Sequence, residues 1–303
     1  MAPVQFGWAL PRGARDPAGR ESFVADVRAG FDLIVGHFDS AWMADHLQYD
    51  DADVLESWTT VAFLAAAHPA FRFGHAVLSQ SFRNPALLAK MAATLQFLSG
   101  GRFILGIGAG WKEDEYRAYG YPFPPAGTRV DELEDALRII QALWHDARPT
   151  VEGAHYQIHE AWFEPKPDPV PPIMIGAFKP HMLRLTARYA DWWSVSWTGI
   201  DEYRKIVRAC ERACAEVGRD PATLRRTWYG GCVCAPTEAE IPALNTTHIS
   251  PDNAFVGTPA QIVDKMRPFV DLGVDLFQLH CGGFPDLTTL HLLKTEVLPA
   301  LNS

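Results

Sequence analysis

No stretch of this chain is rich in lysine and arginine, and its formal net charge is −9. A broad nucleic-acid surface needs a basic stripe to displace counterions, so no nucleic-acid partner is expected. No apolar run is long enough to cross a bilayer, so no membrane partner is expected either. The N-terminus, MAPVQFGWALPRGARDP, lacks a long apolar core and a cleavage-like site. It reads as a first strand and not as an export signal, which points to the cytoplasm. There are only five cysteines. Cys210 and Cys214 stand one helical turn apart, Cys232 and Cys234 alternate along a strand, and Cys281 is alone. An odd count at low density does not describe a disulfide framework, and without a second matching pair it does not describe a metal site. Also missing is a G-x-G-x-x-G turn: PRGARDPAG, after the first strand, does not fit it, which argues against an open doubly wound sheet.

What is present is a chain of 303 residues, 48% hydrophobic and 21% charged, with short apolar runs alternating with amphipathic ones. That is the pattern of parallel βα units. Strands are expected at Val4–Leu10, Phe38–Asp45, Arg72–Ser79, Arg102–Gly110, Ile173–Ala177, Asp191–Trp197, Thr227–Ala235 and Leu276–Cys281. Helices are expected at Glu21–Val35, Ser57–Ala67, Asn84–Ser99, Arg129–His145, His181–Ala190, Ile200–Val217, from Thr258 to Gly273, and at Asp286–Leu301. Asn84-Pro85 and Thr258-Pro259-Ala260-Gln261 carry helix-start chemistry, and Gly218 a helix stop. Val151–Pro172 reads as a surface excursion and Thr237–Val256 as a polar insertion. Eight right-handed βα crossovers in series can close on themselves, so residues 1–303 are expected to form a single α/β domain, a (β/α)8 TIM barrel.

In such a barrel the site lies where the strands end. Those ends supply Trp8, Asp45, His46, Ser79, Gln80, Ala109, Gly110, Trp111, Gly176, Ala177, Phe178, Lys179, Ser196, Trp197 and His280. Few of these titrate, and His46 beside Asp45 is the convincing acid/base candidate. A metal hydrolase needs several converging His and Asp ligands, yet strand one has no H-x-H, and His155 and His159 lie in the excursion. A Schiff-base enzyme needs a lysine inside a strand end, and none stands there. An aromatic, glycine-lined mouth suits a planar cofactor that carries the redox chemistry itself.

Five segments carry a resemblance: FDSAWMADHL, AVLSQSFRNPALLAKMAATLQFLSGGRFILGIGAGW, RVDELEDALRII, PPIMIGAFKPHMLRLTARYADWW and VGTPAQIVDKMRPFVDLGVDLFQL. In order and spacing the chain resembles the bacterial-luciferase-like superfamily of flavin- and deazaflavin-dependent oxidoreductases over almost its whole length. The resemblance implies that Asp45 hydrogen-bonds the cofactor and that His46 serves as proton donor or shapes the substrate side. It implies that Ser79 and Gln80 lie at a bulged or cis strand end against the ring, and that Ala109 and Gly110 let the ring approach backbone. It places Gly176 and Ala177, with Lys179 beside them, at the cofactor phosphate, near a helix N-terminus that favours anions. Two departures stand out. Gly176-Ala177-Phe178 replaces a glycine-rich loop, and Trp111 stands where sugar-phosphate dehydrogenases of this kind carry a glutamate. Trp8, Trp42, Trp111 and Trp197 suggest a pocket for an apolar or aromatic small-molecule substrate. The ADHL and GIGAGW motifs favour coenzyme F420, a deazaflavin, over FMN. The alternatives are an FMN-dependent monooxygenase fed by a partner flavin reductase, a non-catalytic flavin-binding barrel, and a non-redox phosphate-binding barrel. The resemblance also implies a homodimer.

Overall fold

The computed structural model describes residues 3–245 and 249–303. Among the described residues there are twelve strands: β1 (Gln5–Ala9), β2 (Ser40–Met43), β3 (Arg72–His75), β4 (Leu78–Ser79), β5 (Phe103–Gly108), β6 (Val151–Glu152), β7 (Gln157–Ile158), β8 (Ile173–Gly176), β9 (Trp192–Ser196), β10 (Arg225–Cys234), β11 (Phe255–Gly257) and β12 (Val274–Cys281). Eight of them form a closed parallel ring in the order β1, β2, β3, β5, β8, β9, β10, β12. β12 pairs back onto β1 from Gln5 against Leu276 to Ala9 against His280, which closes the TIM barrel. The excursion after residue 150 is a small antiparallel hairpin, β6 with β7. Of the polar insertion Thr237–Val256, residues 246–248 lie outside the described residues; its end forms β11, which pairs with β10.

The helices are α1 (Phe23–Ile34), α2 (Ser57–Ala67), α3 (Pro85–Leu98), α4 (Glu113–Ala118), α5 (Ala126–His145), α6 (Pro180–Tyr189), α7 (Ile200–Glu216), α8 (Ile241–Leu244), α9 (Pro259–Asp271), α10 (Thr288–Leu292) and α11 (Leu298–Leu301). The sequence signals work as read where the caps are local. The Asn84 side chain accepts from the Ala86 and Leu87 backbone N–H groups. Thr258 and Gln261 complete a reciprocal capping box. Gly218, at φ +72°, follows the end of α7. The closing helix is less regular than expected: a π-helical turn, Leu293–Val297, separates α10 from α11. Pro299 has no N–H to offer the Thr295 carbonyl, so the regular ladder cannot run through. Among the described residues no helix is long and apolar enough to cross a membrane.

The third strand departs from the continuous Arg72–Ser79 run. It breaks after His75, and a cis peptide joins Ala76 to Val77. Gly74 pairs with Ile104, and Leu78 pairs with Ile107. Between these pairs three residues on one side lie against two on the other, a bulge that re-aims the strand end. Gly106 permits the approach, because a Cβ there would run into the His75 carbonyl oxygen. Inside the barrel, Trp42, Ile104, Met174, Trp192 and Leu276 make a separate apolar core, with Ala76 and Val77 packed on it. Trp42 is fully enclosed there and is not a pocket residue.

Candidate active site

Above that inner core, at the C-terminal ends of the strands, lies a cavity of about 510 Å³. That falls within the range of small-molecule sites. Its lining brings together Asp45, His46, Ser79, Ala109, Gly110, Trp111, Gly176, Ala177 and Trp197. Three other residues expected at the site stand elsewhere. Trp8 points outward from β1, 1% exposed, edge-on to Phe31 at 5.2 Å, where Gly30 leaves room for its ring. The alternation of the strand puts that side chain under α1 and not in the mouth. Gln80 donates through Nε2 to Glu132 at 3.0 Å, so its amide faces α5. Lys179 is exposed at the start of α6, outside the lining.

His46 follows β2 and is 8% exposed. Its Nδ1 lies 3.0 Å from Glu115 Oε1. The second oxygen of Glu115 accepts the Leu47 backbone N–H, also at 3.0 Å. Both carboxylate oxygens thus hold the loop that carries the imidazole. A carboxylate can only accept, so Nδ1 is the protonated nitrogen and Nε2 is left for other work. Among the described residues Nε2 has no hydrogen-bond partner. Nothing in the sequence marks Glu115. It follows Glu113 and Asp114 in what reads as a solvated acidic helix start, and only the packing of α4 shows that Glu115 turns inward, 2% exposed.

Asp45 is placed differently from its expected role. One oxygen accepts from Ser57 Oγ at 2.5 Å and Arg83 Nη2 at 3.1 Å. The other accepts from the Ser79 N–H at 3.0 Å and Arg83 Nη1 at 2.8 Å. Two bonds to each oxygen use its lone pairs, so the carboxylate is spent on the protein and has none to spare for a cofactor. It fixes the β4 end instead.

The opposite wall is backbone. Gly108 and Gly176 both face Val77: a Cβ on Gly108 would sit 2.8 Å from Val77 Cγ2, and one on Gly176 would sit 3.3 Å away. Gly110, at φ +75°, leaves the space where the Tyr116 hydroxyl meets Ser79 Oγ. These strand ends therefore converge around the Val77 side chain, an apolar surface against which a flat ring system fits. The lining also includes His280, expected from its strand end, and three residues that the sequence did not mark: Arg12, Tyr49 and Tyr229. Burial, reinforced by the charge of Arg12, pushes His280 down to about 4, and burial pushes the Tyr229 hydroxyl up. Both are neutral at pH 7.

Residues 36–250 match the model of the family described as luciferase-like monooxygenase. One relative by sequence is a protein of Kineococcus radiotolerans named F420-dependent glucose-6-phosphate dehydrogenase, 33% identical over 195 residues, which are 62% of this chain and 58% of that protein. Another is a phthiodiolone/phenolphthiodiolone dimycocerosates ketoreductase of Mycobacterium sp. (strain JLS), 32% identical over 245 residues, 72% of this chain and 63% of that one. The matched segments thus span about three fifths of those relatives' own length. Among solved structures, an F420-dependent secondary alcohol dehydrogenase in complex with an F420-acetone adduct superposes with a TM-score of 0.85 at 21% identity, covering 99% of this chain and 100% of the other. The oxygenating constituent of 3,6-diketocamphane monooxygenase from Pseudomonas putida, in complex with FMN, superposes with a TM-score of 0.78 at 20% identity, covering 98% of each chain. At these identities the structures are alike in fold.

Proposed function

The chain belongs to the luciferase-like monooxygenase family, and from that footing we propose that it is an oxidoreductase using coenzyme F420 on a small alcohol or carbonyl substrate. The observation that carries the reading is the form of the cavity. A buried imidazole, held by Glu115 and free at Nε2, faces a wall of glycine and alanine backbone. Ser79, Ala109, Gly110, Gly176 and Ala177 are the residues that would hold the cofactor. When bound, the deazaflavin supplies a two-electron hydride donor or acceptor. His46 handles the accompanying proton, accepting it at Nε2 when an alcohol is oxidised and returning it when a carbonyl is reduced. Val77 would back the ring, and Trp111, edge-on to His46 at 6.0 Å, stands on the imidazole side. Relatives named as F420-dependent support this cofactor, and the name ketoreductase fits the carbonyl chemistry. Trp111 argues against a sugar phosphate, since it replaces a polar group with an indole at the mouth.

Fluorescence and absorbance titration of the chain with F420 and with FMN tests the choice. Saturable F420 binding is expected, with FMN at least tenfold weaker. FMN binding without F420 binding would shift the reading to an FMN-dependent monooxygenase served by a flavin reductase. We also propose a homodimer, because Leu87, Phe97 and Leu98 stand exposed together on α3. Light scattering at micromolar concentration reads the mass directly.

A further inference from the structure

Most of the charges around the cavity are paired within the protein. Asp45 is neutralised by Arg83, which also pairs with Glu56. Glu115 is committed to His46 and the Leu47 N–H. Lys112, at the rim, is paired with Asp114. Arg12 lines the same cavity, and among the described residues no carboxylate pairs with it. Its guanidinium lies 3.6 Å over the ring of Tyr49, which holds it in place without using its five N–H donors.

The position is built. Arg12 follows β1, and its carbonyl accepts the Leu55 backbone N–H at 2.8 Å. Gly13, next along, packs so closely on Asp53 that a Cβ would lie 2.5 Å from the Asp53 carbonyl oxygen. The arginine is therefore carried on a fixed loop. Two further polar side chains line the cavity here: Tyr229, and His280, whose ring meets the Ala9 backbone. One cation with no carboxylate partner among the described residues and two neutral polar groups thus line the same cavity.

We propose that these residues recognise a carboxylate on the substrate, with Arg12 as the anchor and Tyr229 as a second donor. The proposal rests on the oxidoreductase reading of the same cavity and narrows its substrate to a small, flat-bodied acid that carries the reacting alcohol or carbonyl beside His46. A planar guanidinium binds a carboxylate in bidentate fashion, and such a charge-assisted contact favours an acid over its neutral isostere. An anionic group on the cofactor has the same chemistry, so the test separates the two sources.

The test is isothermal titration calorimetry of the whole chain, alone and loaded with F420, with benzoate and its neutral isostere benzamide as probes. Benzoate is expected to bind at least about tenfold more tightly than benzamide, as one charge-assisted contact implies. Arg12→Gln should abolish that preference, and Arg12→Lys should keep part of it. Equal binding of the two probes, absence of benzoate binding, or a preference that survives Arg12→Gln overturns the proposal. So does a tenfold loss of F420 affinity in Arg12→Gln with benzoate displaced by F420, because the anion then belongs to the cofactor. If F420 fails to bind while the benzoate preference holds, the cofactor reading falls and the carboxylate site stands.

Discussion

At the scale of the residue, the imidazole and its carboxylate divide one task. His46 offers Nε2 to the cavity, and Glu115 decides which nitrogen is available by accepting from Nδ1–H. His46→Ala is expected to lower kcat by roughly 10²–10⁴-fold while leaving F420 binding within about twofold, since a positioned acid/base group contributes on that scale. Unchanged turnover would remove His46 from the mechanism. Glu115→Gln keeps the shape but gives the imidazole a partner that can also donate. It is expected to cost roughly tenfold to a hundredfold in kcat with little change in KM, the signature of a misplaced tautomer and not of lost substrate contact. A rise in KM alone would show that Glu115 serves the substrate instead. His46 was legible in the sequence because histidine beside aspartate at a strand end is rare enough to notice. Glu115 and Arg12 were not. One sits in an acidic run and the other in a proline- and glycine-rich turn, and no local pattern distinguishes an inward-facing charge from a solvated one.

At the scale of the element, Asp45 ties the end of β2 to the start of α2 through Ser57, to β4 through the Ser79 N–H, and to the loop before α3 through Arg83. Its side chain is 1% exposed and that of Arg83 11%. Asp45→Ala would strand a largely buried guanidinium, and breaking such a pair costs about 3–5 kcal/mol. Glu56 still partners Arg83, so about 3 kcal/mol is the expected loss, measured as a shifted urea midpoint at unchanged slope. A loss below about 1 kcal/mol would show that the bridge is not structural. The α9 cap allows a smaller companion measurement. Thr258→Ala removes half of a capping box and should cost about 1 kcal/mol. These elements also show what sequence can carry. Asn84, Gly218 and the Thr258–Gln261 box act within one turn, so their neighbours in sequence are their partners in space. The bulge between His75 and Leu78 depends on Gly106 of the next strand, some thirty residues away, and period-two alternation alone predicts an unbroken strand there.

At the scale of the whole molecule, the alternation of apolar and amphipathic runs was enough to set the number and order of the strands, because ring closure follows from eight parallel crossovers. Which buried groups the closed barrel leaves unsatisfied is a separate matter, and it governs the response to acid. His75 is wholly enclosed between β3 and α2, its ring stacked on Trp58 at 5.1 Å and 15°, and neither ring nitrogen has a partner. Burial holds it neutral and pushes it down to about 4 from 6.5. Between those values the unfolded chain takes up a proton that the folded one refuses. Stability from this group is therefore complete above pH 6.5 and is lost as the pH falls toward 4, amounting to about 2 kcal/mol by pH 5. His280, similarly depressed but open to the cavity, adds to the same loss in the same direction. Urea midpoints taken from pH 7.5 to 4.5 should fall steadily below pH 6.5. His75→Phe preserves the stack on Trp58 without the titrating group, so its midpoints should fall less by about 2 kcal/mol at pH 5. An identical pH slope in wild type and variant would show that the enclosed imidazole is not what makes the barrel acid-labile.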